Sequence, residues 1–128
     1  MRVLMVDNDS LERERLRRIF VSSPFEVIQA SNGQEALEIL ETQTVDAIVS
    51  DILMPQMDGY RLCIEVRERE RLVSVPFILH TNMYTSESDE KKALSLGANR
   101  FVRKSATESE LLKTLSELPG APVVSQPG

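Results

Sequence analysis

Short apolar runs recur at Val3–Val6, Phe25–Ile28, Val45–Val49, Phe77–Leu79 and Phe101–Val102, and each gives way to a polar loop and then a segment of helical spacing. The alternation predicts five strands and five helices. The first helix starts after Asp9, with Glu12 three residues on as a capping-box partner, and sets Leu11, Ile19 and Phe20 near one stripe with Leu16 beside it. The second runs from about Gln34 to Glu41 around Ala36, Leu37 and Leu40. The third runs from about Gly59 to Arg71 around Cys63 and Val66, widened by Tyr60, Leu62 and Ile64. A fourth begins near Ser86, with Asp89 as its capping partner, and stops at Gly97; the last begins at Thr107, with Glu110 three residues later, carries Leu111, Leu112, Leu115 and Leu118, and stops at Pro119-Gly120. Strands and helices alternating through short connections imply right-handed crossovers onto a parallel sheet covered on both faces, an α/β doubly wound fold. In such sheets ligands sit beyond the carboxyl ends of the strands.

Composition narrows the function classes. With 128 residues, 41% of them hydrophobic and 27% charged, the chain is an ordinary globular domain. That domain is expected over residues 1–118, followed by a flexible tail or linker over 119–128, where Pro119, Pro122 and Pro127 break any helical period. Fifteen basic against twenty acidic residues give a net charge of −5, which disfavours nucleic acid and anionic membrane as direct partners. Cys63 and His80 are the single cysteine and histidine, too few for a disulfide framework, a Cys/His zinc site or a close Cys-His catalytic pair. The opening apolar run, Val3 to Val6, is far short of a signal peptide or a membrane span, so a reducing cytoplasm is the expected location.

Polar residues gather at the ends of the strands: Asp7, Asn8 and Asp9 after the first, Asp51 after the third, Thr81 after the fourth and Lys104 after the fifth. Any one of them could simply cap a helix or turn, as Asp9 and Asp58 are placed to do. Together, three acids around one concavity call for a hard cation with oxygen ligands, and a neighbouring lysine and hydroxyl suit a dianion. Metal-assisted phosphoryl chemistry follows from that set.

Asp7-Asn8-Asp9 after a strand, the stretch Asp51-Ile52-Leu53-Met54-Pro55-Gln56-Met57-Asp58-Gly59, then Thr81 and Lys104 resemble the receiver domain of bacterial response regulators, over about Arg2 to Leu118. The resemblance implies a flavodoxin-like sheet of strand order 2-1-3-4-5. It implies Asp51 as a phosphoacceptor, served by a histidine kinase, a phosphotransfer protein or a small phosphodonor, and Mg²⁺ held by Asp7, Asn8, Asp51 and the backbone carbonyl of Leu53. It further implies that Thr81 and Lys104 contact the phosphoryl group, the one with a hydroxyl and the other with positive charge. Phe101 falls at the family's switch aromatic, whose rotation changes the face formed by the fourth helix, fifth strand and fifth helix. That face would meet a downstream protein partner or a fused domain, and could pair two copies. No DNA-binding region follows Leu118, so output is expected by protein contact, from a switch rather than a turnover enzyme. Pro55 fixes the backbone of its turn, and Gly59 permits close approach at the helix start.

Several positions depart from the family pattern. Asn8 replaces an acid, which predicts weaker Mg²⁺ binding and slower phosphorylation. Ser105 replaces the usual proline after Lys104, and a cis bond there would cost about 2.5 to 4 kcal/mol, so a trans bond is expected. Asn82 stands where a small residue is usual and narrows access to Asp51. Leu53 and Met83 flank the site with apolar cover, which predicts a long-lived phosphoryl group by excluding water. His80 and Cys63 read as packed residues without chemistry, and the mixed-sign runs Glu12–Arg15 and Glu65–Arg71 as solvated helix faces. Asn8 and Ser105 motivate one alternative, a phosphorylation-independent pseudo-receiver that only docks. The other is a haloacid-dehalogenase-type phosphatase using Asp7 as nucleophile. That motif wants Thr or Val at Leu11, and it leaves Asp51 to Gly59 unexplained.

Overall fold

The computed structural model describes residues 1–82, 85–104 and 108–122. Met83, Ser105, the expected start of the last helix at Thr107 and residues 123–128 lie outside the described residues. The elements are β1 (Arg2–Val6), α1 (Ser10–Phe20), β2 (Glu26–Ala30), α2 (Gly33–Thr42), β3 (Ala47–Ser50), α3 (Gly59–Arg67), β4 (Phe77–Thr81), α4 (Glu87–Ser95), β5 (Arg100–Arg103) and α5 (Glu108–Ser116). All strand pairs are parallel, in the order β2-β1-β3-β4-β5. This is the doubly wound flavodoxin-like arrangement that the strand-helix alternation and the receiver resemblance led one to expect.

Strand alternation splits the interior in two. Leu4, Val6, Ile48, Phe77, Leu79 and Phe101 face α2, α3 and α4, while Val3, Met5, Val49, Ile78 and Val102 face α1 and α5. Each strand is therefore apolar on both sides, as a sheet covered on both faces requires. Ala121 packs against the second cluster, so the covered part of the chain runs slightly past Leu118.

Three local expectations need correction. Leu11 is 80% exposed, whereas Leu16 and Phe20 are buried. Leu11 lies five residues before Leu16, about 140° away around the helix, and so misses the stripe set by the pair four residues apart. Glu12 does not complete a capping box. Asp9 accepts from the Leu11 N–H at 3.0 Å, and the Glu12 carboxylate instead receives Arg15 at 2.7 and 3.0 Å. The third helix stops at Arg67, short of Arg71, and a 3₁₀ turn follows at Glu70–Leu72. Val66 and Leu72 are both buried yet six residues apart, a spacing that points about 120° off one helical face, so a continuous helix could not bury both. The Ser86–Asp89 capping box of α4 forms in full, and Gly97 ends that helix region with φ of +109°.

Candidate functional site

Parallel register brings the strand ends to one edge. Val6 pairs with Ala30 and Ser50, and Thr81 pairs with Arg103. The ladder continues one step beyond β1 and β3. The Asp7 N–H donates to the Ala30 carbonyl at 3.1 Å, and the Asp51 N–H donates to the Val6 carbonyl at 2.9 Å. Both aspartates are thus fixed by main-chain bonds before their side chains do anything. The Lys104 N–H donates to the Thr81 carbonyl at 2.6 Å, which ties the residue after β5 to the end of β4.

The side chains then converge. Lys104 Nζ lies 2.7 Å from Asp7 Oδ2 and 3.3 Å from Asp51 Oδ2. Asp51 Oδ1 accepts the Ile52 N–H at 2.7 Å, and Asp7 Oδ1 accepts the Asp9 N–H at 2.9 Å. Asp7 and Asp51 are only 2% and 8% exposed. Burial raises the Asp51 carboxyl above its ordinary value and the Asp7 charge adds to this, while Lys104 opposes it. Burial alone would lower Lys104, but its hydrogen bond to Asp7 and the charges of both aspartates outweigh it and raise the ammonium above its ordinary value. The cleft above these groups has a volume of about 540 Å³ and is lined by Asn8, Asp9, Leu53, Met54, Pro55 and Asn82 as well. Thr81 is fully buried at the end of β4, and Phe101 is inward on the α4 side of β5.

The β3–α3 turn follows from its sequence. The Gly59 N–H donates to the Ile52 carbonyl at 2.8 Å, which folds the helix start back onto the residue after Asp51. Asp58 caps α3 by accepting the Arg61 N–H at 2.8 Å. Between them the Met57 N–H donates to the Pro55 carbonyl across Gln56, whose φ is 69°.

The expected three acids reduce to two. Asp9 spends its carboxylate on the start of α1, so it lines the cleft without joining Asp7 and Asp51 around Lys104, and among the described residues no three acidic, histidine or cysteine side chains form a metal cluster. Sequence reasoning missed Arg13, read as part of a solvated face, whose guanidinium donates to the Asp7 carbonyl at 2.7 Å. A charge run shows which residues are polar but not which of them folds back over a loop.

His80 points to the α1 side, opposite Thr81, and is buried. Burial first, then the Lys104 charge, lowers it to about 4 from 6.5, with Glu12 opposing and Arg15 adding a little. Its imidazole is neutral at pH 7, in keeping with a packed residue. The unfolded chain takes up more protons than the folded one between those two values, so stability falls as pH drops from about 6.5 toward 4, by up to about 3 kcal/mol. Urea unfolding at pH 7 and roughly pH 4.5 is expected to show His80→Gln losing clearly less stability on acidification than the native chain. Equal losses would contradict the assignment.

Residues 3–116 match the family model described as the response regulator receiver domain, and the chain belongs to that family of two-component signal transduction. It is 32% identical over 118 residues to Response regulator MprA of Mycolicibacterium vanbaalenii, covering 92% of this chain and 50% of that protein. The chain likewise spans about half the length of the transcriptional regulators it matches. Among solved structures, Vibrio cholerae chemotaxis protein CheY4 aligns with a TM-score of 0.83 at 30% identity, covering 90% of this chain and 95% of that one. The receiver domain of sensor histidine kinase PA1611 from Pseudomonas aeruginosa, solved with a magnesium ion coordinated in its active-site cleft, aligns with a TM-score of 0.80 at 27% identity over 90% and 93% of the two chains. The family match leaves the phosphatase alternative without support. Among the described residues no helix is long and apolar enough to cross a membrane.

Proposed function

We propose that this receiver domain is a cytoplasmic phosphorylation switch, not a turnover enzyme. It accepts a phosphoryl group on Asp51 from a histidine kinase or phosphotransfer protein and signals by protein contact, to a separate partner or to a fused domain. The observation that carries the proposal is the position of the Asp51 carboxylate, at the floor of an open cleft, with one oxygen held by the Ile52 N–H and the other facing Lys104. In the transfer, an Asp51 oxygen forms the new bond to phosphorus as the bond to the donor's leaving nitrogen or oxygen breaks, and the leaving group departs with that electron pair. Lys104 neutralises charge on the phosphoryl oxygens, and the Thr81 hydroxyl hydrogen-bonds to one of them. Movement of Thr81 is passed through Phe101 to the face of α4, β5 and α5.

The donor set fits a hard divalent cation, since Asp7, Asn8, Asp51 and the Leu53 carbonyl can each offer an oxygen. Mg²⁺ held there would supply positive charge to the transferring phosphoryl group. With Asn8 in place of an acid, the proposed ligand set holds two carboxylates, both already shared with the Lys104 ammonium. Asn8→Asp is therefore expected to tighten Mg²⁺ several-fold in a calorimetric titration. An unchanged affinity would remove Asn8 from the ligand set.

Intact-mass spectrometry after incubation with acetyl phosphate tests the central reading. The expected result is one Mg²⁺-dependent phosphoryl adduct, absent in Asp51→Asn and persisting for minutes under the apolar rim that includes Leu53. An adduct that survives Asp51→Asn would refute the assignment. No adduct, with either acetyl phosphate or a phosphorylated histidine kinase, would favour the docking module.

A further inference from the structure

Along β5, alternation places Phe101 and Arg103 on the same side of the sheet, toward α4, while Val102 faces α1 and α5. The Arg103 guanidinium lies over the Phe101 ring, 5.2 Å from its centroid. Its Nε donates to the Thr85 carbonyl at 2.8 Å. Thr85 immediately precedes Ser86, the residue that caps α4. Arg103 also pairs across the sheet with Thr81 and is followed directly by Lys104. One planar side chain therefore joins an aromatic ring to the main chain at the entrance to α4, and it springs from the strand position that pairs with Thr81 and precedes Lys104. Lysine could not reproduce this contact, because stacking on a ring while donating sideways needs the flat guanidinium fork.

We propose that Arg103 is a latch that holds the segment before α4 against Phe101 in the unphosphorylated chain, and that its release is the step by which α4 responds. Arg103 is here a positioning residue, and the release step rests on the phosphorylation reading above. By this account, removing the latch shifts the resting chain part of the way toward the responding state, since an equilibrium moves by whatever contact one of its states alone possesses.

The test is ¹⁵N amide spectroscopy of the whole chain, with and without beryllofluoride and Mg²⁺ as a phosphoryl mimic. In resting Arg103→Ala, the amide signals of Glu87–Ser95 are expected to lie displaced along the line joining the resting and beryllofluoride positions of the native chain. Amide exchange at the start of α4 is expected to accelerate about tenfold. Arg103→Lys should behave like the alanine variant, and because it keeps length and charge it guards against a simple loss of folding. Resting spectra of both variants that overlay the native one, with unchanged exchange, would overturn the latch. So would a lysine variant indistinguishable from native beside a displaced alanine variant, since charge alone would then suffice. If the native chain ignores beryllofluoride while both variants still lose protection at α4, the phosphorylation reading falls and the resting contact stands.

Discussion

Gly59→Ala is expected to lower the melting temperature by on the order of 10 °C and to abolish phosphoryl adduct formation at Asp51. A Cβ added at Gly59 would overlap the carbonyl oxygen of Asp51 and come within 2.9 Å of the Ile52 Cα. Both obstacles are main chain, held by the bond from the Gly59 N–H to the Ile52 carbonyl, so neither can turn aside as a side chain would. The strand end must shift away from α3, and the shift falls on the residue that carries the chemistry. Gly33→Ala is the control. Its added methyl would meet the Met57 side chain, with the sulfur at 2.7 Å and Cγ and Cβ at 3.0 and 3.1 Å, so Met57 must give, but none of these atoms is main chain at Asp51 and adduct formation should survive. Thermal melts and intact-mass spectra of the two variants, taken together, separate local blockage from general intolerance of glycine replacement.

Arg67→Ala is expected to destabilise the fold by roughly 2 to 4 kcal/mol, more than any exposed charge in this chain. Its guanidinium donates to the carbonyls of Gly97 at 3.0 Å, Leu72 at 3.2 Å and Val75 at 2.7 Å, and to Asn99 Oδ1 at 2.8 Å. The same Asn99 oxygen accepts the Phe77 N–H at 2.8 Å. One side chain thus closes the ends of the 3₁₀ turn and of α4 around the first residue of β4, the strand that carries Thr81. Truncation strands several part-buried acceptors at once, and Arg67→Lys should recover little because an ammonium cannot reach four acceptors in a fork. Urea denaturation midpoints test this. A loss under about 0.5 kcal/mol, the range of an ordinary surface substitution, would show that water replaces the guanidinium without penalty.

Arg67 also marks where reading the sequence stops. It sits in the run Glu65–Arg71, whose mixed signs describe a solvated helix face, and nothing in that pattern distinguishes it from Arg61, whose guanidinium meets Glu65 in an exposed ion pair. Three of its four partners are backbone carbonyls, which carry no sequence signal, and the fourth, Asn99 Oδ1, lies 32 residues away. The bonds of Arg13 to the Asp7 carbonyl and of Arg103 to the Thr85 carbonyl carry no sequence signal for the same reason. Leu11 and the early end of α3 depart from the pattern for a different reason. In both, apolar residues recur close together, but the angle between them on a helix, about 140° for Leu11 and Leu16 and about 120° for Val66 and Leu72, does not allow common burial.

What the sequence determined by itself is the alternation of apolar runs and helical segments, the caps at Asp9, Asp58 and Ser86, the close approach at Gly59, and the polar residue at each strand end. These are local properties, fixed by periodicities of two and 3.6 residues and by the backbone preferences of glycine, proline and short polar side chains. Which of those polar residues meet depends on contacts between strands far apart in the chain. Parallel pairing of β1, β3, β4 and β5 brings Asp7 and Asp51 to one lysine 97 positions from the first of them, turns Asp9 away to its helix, and leaves His80 buried on the far side of the sheet. Burial then sets the electrostatics. The same aspartate would titrate normally in water, and it is the removal of that water by residues distant in the chain that raises Asp51 and makes Lys104 its counter-charge.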